Sequence, residues 1–358
     1  MENKSINRRI FYLDVLRVIA CFCVVMIHAS ADYVKKDFGS ANFWYANVLD
    51  SISRIGVPLF VMISGSLLLD ENYHFTSKKL IKHIAKMVIF FVSWSLIYSI
   101  ITNVINVSFS GGKISFEAIK ASFLNGNYHL WFCFMIVGLY LLVPILRLWV
   151  KVENKKYVEY FLILSFIFAF LLPQIVSQGG YFFTDVKYIN NFLRNSYFQP
   201  ISGYVPYFIL GWYLHNFTFN KKTNIIIYVL GGVGLLYTIF MTYHLSHSQG
   251  RALQAYTEIS VNVLFASIAI FVLVKTLLMN REEKTTVISK SVNFISKLSL
   301  GIYAIHVMVV KQSYYVFNTN GVNNAFIVVT SIFFISFIIS LIASFLISLI
   351  PYVKTIVK

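Results

Sequence analysis

Charge is scarce in this chain. Only 12% of its 358 residues are Asp, Glu, Lys or Arg, and acids are rarer than bases, 14 against 30. A soluble domain carries about a quarter charged residues. The depletion, together with 58% hydrophobic residues and a mean hydropathy of +0.71, excludes an ordinary soluble domain and indicates a membrane protein. Cysteine is also nearly absent. Cys21, Cys23 and Cys133 all lie in apolar runs, which excludes a disulfide framework, and none has a metal-ligand spacing. Cys21 and Cys23, two residues apart, point to different helix faces, and all three are expected to serve packing. No G-x-S-x-G, P-loop, H-E-x-x-H or dinucleotide fingerprint occurs, so any chemistry rests on histidines and acids. Low-complexity tracts, strong repeats and the paired broken helices that mark many transporter sites are missing too.

What the chain does have is long apolar runs. A hydrocarbon core of about 30 Å needs about 20 apolar residues per helix. That rule gives ten spans, roughly 10–30, 47–69, 85–107, 129–150, 157–175, 199–217, 224–243, 254–279, 298–317 and 324–350. The expected fold is all-α, an integral membrane protein of about ten transmembrane helices forming a single domain over residues 1–358. The short KVENKKYVE segment is all that divides the fourth span from the fifth. Lys4, Arg8 and Arg9 precede the first span like the basic region of a signal peptide. However, Asp14 and Arg17 interrupt its apolar core and no small-residue cleavage site follows, so an uncleaved span is expected.

An even count puts both termini on one side. Most of the basic residues then fall in the segments on the terminal side, among them Lys4, Arg8, Arg9, Lys151, Lys155, Arg281 and Lys284. Fewer fall opposite, among them Lys113, Lys187, Arg194 and Arg251. Basic residues mark the cytoplasmic side, so the expectation is N-in and C-in. Most of the net +16 is thereby a topology signal and an attraction to inner-leaflet lipids, and no nucleic-acid partner is expected. The outer loops, including GGK at 111–113, QGGYFFTD at 178–185 and YHLSHSQG at 243–250, have turn-forming and interfacial composition.

Several spans carry groups that hydrocarbon does not tolerate. In YLDVLRVIACFCVVMIHAS (residues 12–30), Arg17 and His28 are 11 residues apart, close to three helical turns, so they share a face about 16 Å apart. Asp14 lies within reach of Arg17, and the opposite face, with Phe22 and Val25, suits lipid. A lone Arg or Asp at a helix centre costs about 2.5–3.5 kcal/mol on insertion scales, so this stripe must face protein or a wet cavity. An ion pair that pins helix packing beside a core histidine fits the same residues. In the second span Arg54 follows Asp50 by one turn, Pro58 frees a backbone carbonyl, and Gly65 between two serines permits close helix approach.

Elsewhere, SKKLIKHIAK (77–86) reads as a basic inner loop, where Lys78, Lys79, Lys82, His83 and Lys86 suit a polyphosphate as well as simple inside-positive charge. His74 reads as solvated. His129 and Trp131 read as interfacial anchors. Glu258, about one turn inside the eighth span, needs a partner and is a candidate for the same cavity as the first-span stripe. His244 and His247 form an (i, i+3) pair in an outer loop without an acidic neighbour, and no metal site is expected. His306 reads as a core histidine or a cavity-lining one.

These landmarks resemble one family. YLDVLRVIACFCVVMIH resembles the opening of the membrane-bound acyltransferase 3 family, whose first helix carries Leu-Asp-x-x-Arg and then a His after ten residues. SRIGVPLFVMISGSLL is similar to its second-helix motif, Arg-x-x-Val-Pro followed by Ser-Gly, and HLWF at 129–132 and SLGIYAIH at 299–306 to its later landmarks. The resemblance runs over nearly the whole chain. It implies ten helices and transfer of an acyl group, usually acetyl from cytoplasmic acetyl-CoA, to a hydroxyl of a cell-surface polysaccharide, peptidoglycan or lipid-linked glycan. It also implies a multi-pass protein of the bacterial inner membrane. By position, His28 takes the catalytic role, and Asp14, next to Arg17, is the second catalytic candidate. Arg17, Arg54, Lys78, Lys79, Lys82, Glu258 and His306 are the candidates for binding acyl-CoA or acceptor. Many members carry arginines in the inner loop where this chain has lysines, which grip phosphate without a bidentate fork. The chain ends soon after the tenth span, which implies the form without an appended extracytoplasmic domain. A transporter or flippase of a lipid-linked sugar is the alternative; it would move substrate without CoA. A sensory or scaffold domain would bind acetyl-CoA without turnover, or not at all. Acceptor, acyl group and oligomeric state stay open.

Overall fold

The computed structural model describes residues 10–73, 75–110, 115–179, 203–250, 254–279, 286–351 and 353–357. Lys4, Arg8, Arg9, His74, Lys113, Lys187, Arg194, Arg251, Arg281 and Lys284, with the GGK turn and most of QGGYFFTD, lie outside them. Among the described residues the fold is all-α, with no strand, and nine helical stretches are long and apolar enough to cross a membrane. The chain is thus a multi-pass membrane protein. The difference from ten falls at 199–217: α9, Val205–Asn216, has 12 residues, and residues 180–202 before it are outside the described set. Twelve residues rise about 18 Å, short of the hydrocarbon thickness.

The first helix, α1 (Phe11–Ser30), is central. It packs on α2 (Ala41–Ser53), α3 (Gly56–Leu68), α11 (Val261–Leu278), α12 (Val287–Thr319) and α13 (Ala325–Leu349). The face expected to meet lipid is therefore covered. Val25 is fully buried, and the Phe22 ring lies 4.5 Å from that of Phe337 on α13. Apolar composition alone does not distinguish a lipid-facing stripe from one facing other helices.

The second span, expected as one run over 47–69, is broken four residues before Pro58. Helix α2 ends and α3 begins around Arg54 and Ile55, because proline cannot donate to the carbonyl four residues earlier. Gly65 permits the expected close approach: a Cβ built there would lie 1.8 Å from the Phe208 carbonyl oxygen on α9. Gly211 on α9 faces the Met62 carbonyl at 2.0 Å in the same way, and Ser66 Oγ donates to Gly211 O at 2.8 Å. Two glycines and a serine thus set α3 backbone to backbone against α9.

The remaining boundaries follow local signals. The KVENKKYVE segment does separate two helices, α6 (Trp131–Trp149) and α7 (Lys155–Ser165), the latter continuing through a π-helical turn into α8 (Leu172–Gly179). Asn220 caps α10 (Lys221–Gln249) by accepting from Thr223 N at 2.9 Å, and Thr286 and Ser289 form a capping box at α12. The carbonyls ending α9 are satisfied by Lys275 of α11, whose Nζ donates to Leu214, His215 and Phe217 oxygens at 2.7, 2.8 and 2.9 Å. Arg147 does the same for α3, donating to the Leu68 and Asp70 oxygens at 2.8 Å each. The three cysteines are free and buried.

Two expected loops are helical. SKKLIKHIAK forms the first turns of α4 (Ser77–Ser110), and His244 and His247 lie near the end of α10. A basic or polar stretch next to an apolar one reads as a loop in sequence, but a helix continues past the apolar segment whenever nothing breaks it.

Candidate functional site

Helices α1, α3, α4, α6 and α12 enclose a cavity of about 230 Å³. Its two ends differ in character. One end carries Arg17, Lys86, Tyr140 and Ser299; the other carries His28, His129 and Trp131. Between them the wall is mostly apolar, with Val57, Phe60, Met87, Phe132, Ile136 and Leu300. Arg17 and His28 reach both ends because α1 turns three times between them, a rise of about 16 Å.

At the Arg17 end, the guanidinium donates to Asp14 Oδ1 and to Ser296 Oγ, each at 3.2 Å, and Ser296 donates to the same carboxylate oxygen at 2.6 Å. Asp14 is 3% exposed, so this pairing keeps the carboxylate compatible with burial. Asp14 does not touch His28: the two are 14 residues apart on one helix, about 21 Å along its axis. Lys86, one turn beyond Lys82 on α4, reaches the cavity, whereas Lys78, Lys79 and Lys82 are exposed and are not among the residues lining it.

At the other end, three imidazoles gather. The His28 and His306 rings lie 5.0 Å apart, and His306 and His129 lie 6.2 Å apart. Tyr128 Oη stands 3.4 Å from His28 Nδ1. His129 is 2% exposed rather than interfacial, and neither of its ring nitrogens has a hydrogen-bond partner among the described residues. Nor does His306 Nε2.

Arg54 and Glu258 are not among the residues lining this cavity. Arg54 forms an ion pair with Asp50, stacks on Tyr256 with 4.2 Å from its Cζ to the ring centre, and reaches Glu258 at 3.9 Å. Asp50 also accepts from Ser30 Oγ at 2.9 Å. Glu258 sits in the bend before α11, about one turn inside the apolar stretch Gln254–Leu278. His306 is fully buried, behind His28, and is likewise not among the lining residues.

Sequence reasoning misplaced His129, since a histidine beside tryptophan at a span edge resembles an interfacial anchor. Ser296, Tyr128 and Tyr303 carried no signal beyond their polarity. Pairing of Arg17 with Asp14, and of Arg54 with Asp50, was legible from spacing alone.

The fold and cavity define a class: a multi-pass membrane protein whose bundle encloses a chamber with a cationic end and an imidazole end. Residues 10–349 match the acyltransferase 3 family, described as an acyltransferase domain, and the chain belongs to that family. It is a membrane acyltransferase. Neither a curated protein nor a solved structure matches it.

Proposed function

We propose that the protein transfers an acetyl group from cytoplasmic acetyl-CoA to a hydroxyl of a cell-surface polysaccharide or lipid-linked glycan, with the chain in a bacterial inner membrane and both termini in the cytoplasm. One observation carries this reading: a single narrow cavity joins Arg17 and Lys86 to His28. Its apolar middle, between the Arg17 end and the His28 end, suits a thin chain. The residues fit the pantetheine arm of acetyl-CoA, with cations at one end for its phosphate, apolar walls for its stem, and His28 at the far end for its thioester. The nucleotide then lies outside, toward the exposed Lys78, Lys79 and Lys82 of α4.

In the reaction, the acceptor hydroxyl oxygen bonds to the thioester carbon as the C–S bond breaks. His28 takes the hydroxyl proton as general base and returns it to the departing sulfur. His28 as a transient acyl carrier meets the same geometry: a ring nitrogen bonds to the thioester carbon as the CoA thiolate leaves, and the acceptor oxygen then bonds to that carbon as the C–N bond breaks, the hydroxyl proton passing to the freed nitrogen. Asp14 acts through Arg17, holding the guanidinium toward the cavity. Arg54, enclosed by two carboxylates, holds the α2–α3 break in place.

The test uses purified His28→Ala, labelled acetyl-CoA and acceptor-containing membranes from cells lacking the protein. Transfer falls by at least about 10²-fold while the variant remains folded, the size expected for loss of a general base or nucleophile. Wild-type turnover in this variant would end the assignment.

A further inference from the structure

His306 has a fixed tautomer. Its Nδ1 lies 2.7 Å from the Tyr303 carbonyl oxygen and 3.1 Å from that of Ile302, both in its own helix. Carbonyl oxygens only accept, so Nδ1 carries the hydrogen and donates it. A neutral imidazole has one N–H, and Nε2 is left as a bare lone pair. That nitrogen is buried and without a partner among the described residues.

Ring spacing identifies the donor that fits it. Two imidazoles joined in line by an N–H···N bond have centres about 5.2 Å apart, from a bond of about 2.9 Å and a ring radius at each end. His28, at 5.0 Å, has the spacing but not yet the alignment, its ring tilted 51° to that of His306 with no bond between them, so a turn of the His28 ring completes the contact; His129, at 6.2 Å, is too far by about the amount that breaks such a bond. The present contact of His28 with Tyr128, at 3.4 Å, is long and easily exchanged.

We propose that His306 is the positioning partner of His28: its Nε2 lone pair accepts the N–H of the His28 ring and turns the other His28 nitrogen, as a lone pair, toward the acceptor hydroxyl. The inference rests on the reading of His28 as the reacting imidazole. In the general-base route, the proton taken from the hydroxyl leaves His28 with two N–H groups. One is held by His306, and the other delivers its proton to the thiolate as the C–S bond breaks. His306 touches neither substrate, and its role resembles that of the orienting member of a nucleophile–base–orienter set.

The experiment compares His306→Leu, which removes the acceptor, with His306→Gln, whose amide oxygen restores one. His306→Met serves as the apolar variant if leucine is not accommodated. Each is assayed with labelled acetyl-CoA and acceptor-containing membranes, and a CoA-induced thermal shift reports folding and donor binding. The apolar variant lowers the maximal rate by about 30- to 100-fold with the acetyl-CoA KM within about threefold, and glutamine recovers about tenfold of that loss. An apolar variant that keeps more than a third of the wild-type rate overturns the proposal, and so does a glutamine variant no faster than leucine. His28→Ala is run in parallel. If it is inactive while His306→Leu is fully active, this inference alone fails; if His28→Ala keeps wild-type turnover, the reading of the site fails with it.

Discussion

Two ion pairs in this protein look alike in sequence and have different surroundings in the fold. Asp14–Arg17 and Asp50–Arg54 are both one-turn acid–arginine pairs in apolar helices. Arg17 is held on one side by Asp14 and Ser296 and opens into the cavity beside Lys86. Arg54 is enclosed: Asp50 on one side, Glu258 on another, the Tyr256 ring against its face. A charge already surrounded by counter-charges has little left for a substrate, whereas one held from behind is presented to it. The lesson is that local spacing predicts the pair, and only the tertiary neighbours decide whether the pair braces the fold or serves a ligand.

The sharpest way to break this comparison is to neutralise each arginine. Arg54→Gln leaves the buried Asp50 carboxylate, and the part-exposed Glu258 beside it, without their cation, and removing one partner of a buried pair costs about 3–5 kcal/mol. Thermal unfolding of the purified protein should show that loss. Arg17→Gln likewise leaves the buried Asp14 carboxylate without its cation and should cost stability of the same order, while also raising the acetyl-CoA KM about tenfold through the lost charge-assisted contact. Lys86→Gln should raise the same KM more than any single change among the exposed Lys78, Lys79 and Lys82. A KM effect at Arg54 as large as that at Arg17 would contradict the division.

A smaller effect tests an acid–histidine contact at the Arg17 end of the bundle. Asp70, in the turn after α3, lies 3.7 Å from His215 Nε2 at the end of α9 and accepts from Asn72 N at 2.9 Å. The bond from His215, with those from Asn72, holds its carboxyl below the usual carboxylate range. A depressed carboxyl stabilises the fold above the unfolded value, about 3.9, and that stability is lost as pH falls through the folded value. Wild-type protein should therefore lose up to about 1 kcal/mol from this group below about pH 4, and Asp70→Asn should remove that acid-dependent part. An identical acid profile in the variant would show that the contact contributes nothing.

Much of the fold was legible because membranes restrict the options. Length and apolarity located the helices, and Gly65 located a close crossing, whereas the freed carbonyl at Pro58 was read without the break between α2 and α3 that accompanies it. The ends were less legible. A basic stretch such as 77–86 continues a helix as readily as it ends one, and the twelve-residue α9 is helical without the length to span. For the site, the Arg17–His28 stripe was readable from period alone. His129 and His306 were not assigned their places, since nothing local tells that three imidazoles from α1, α12 and the turn before α6 converge. Glu258 was placed with them by depth, yet it belongs to the Arg54 cluster, a partition made by packing between distant segments.

The account turns on a cavity entered by the donor from the cytoplasm and by the acceptor from the opposite side. Sealed membrane vesicles of known sidedness test it most directly, with labelled acetyl-CoA added outside. Inverted vesicles should acetylate their glycans, sealed right-side-out vesicles should not until permeabilised, and vesicles carrying His28→Ala should remain unlabelled in both forms. Equal labelling of intact right-side-out vesicles, or labelling that survives loss of His28, would contradict it.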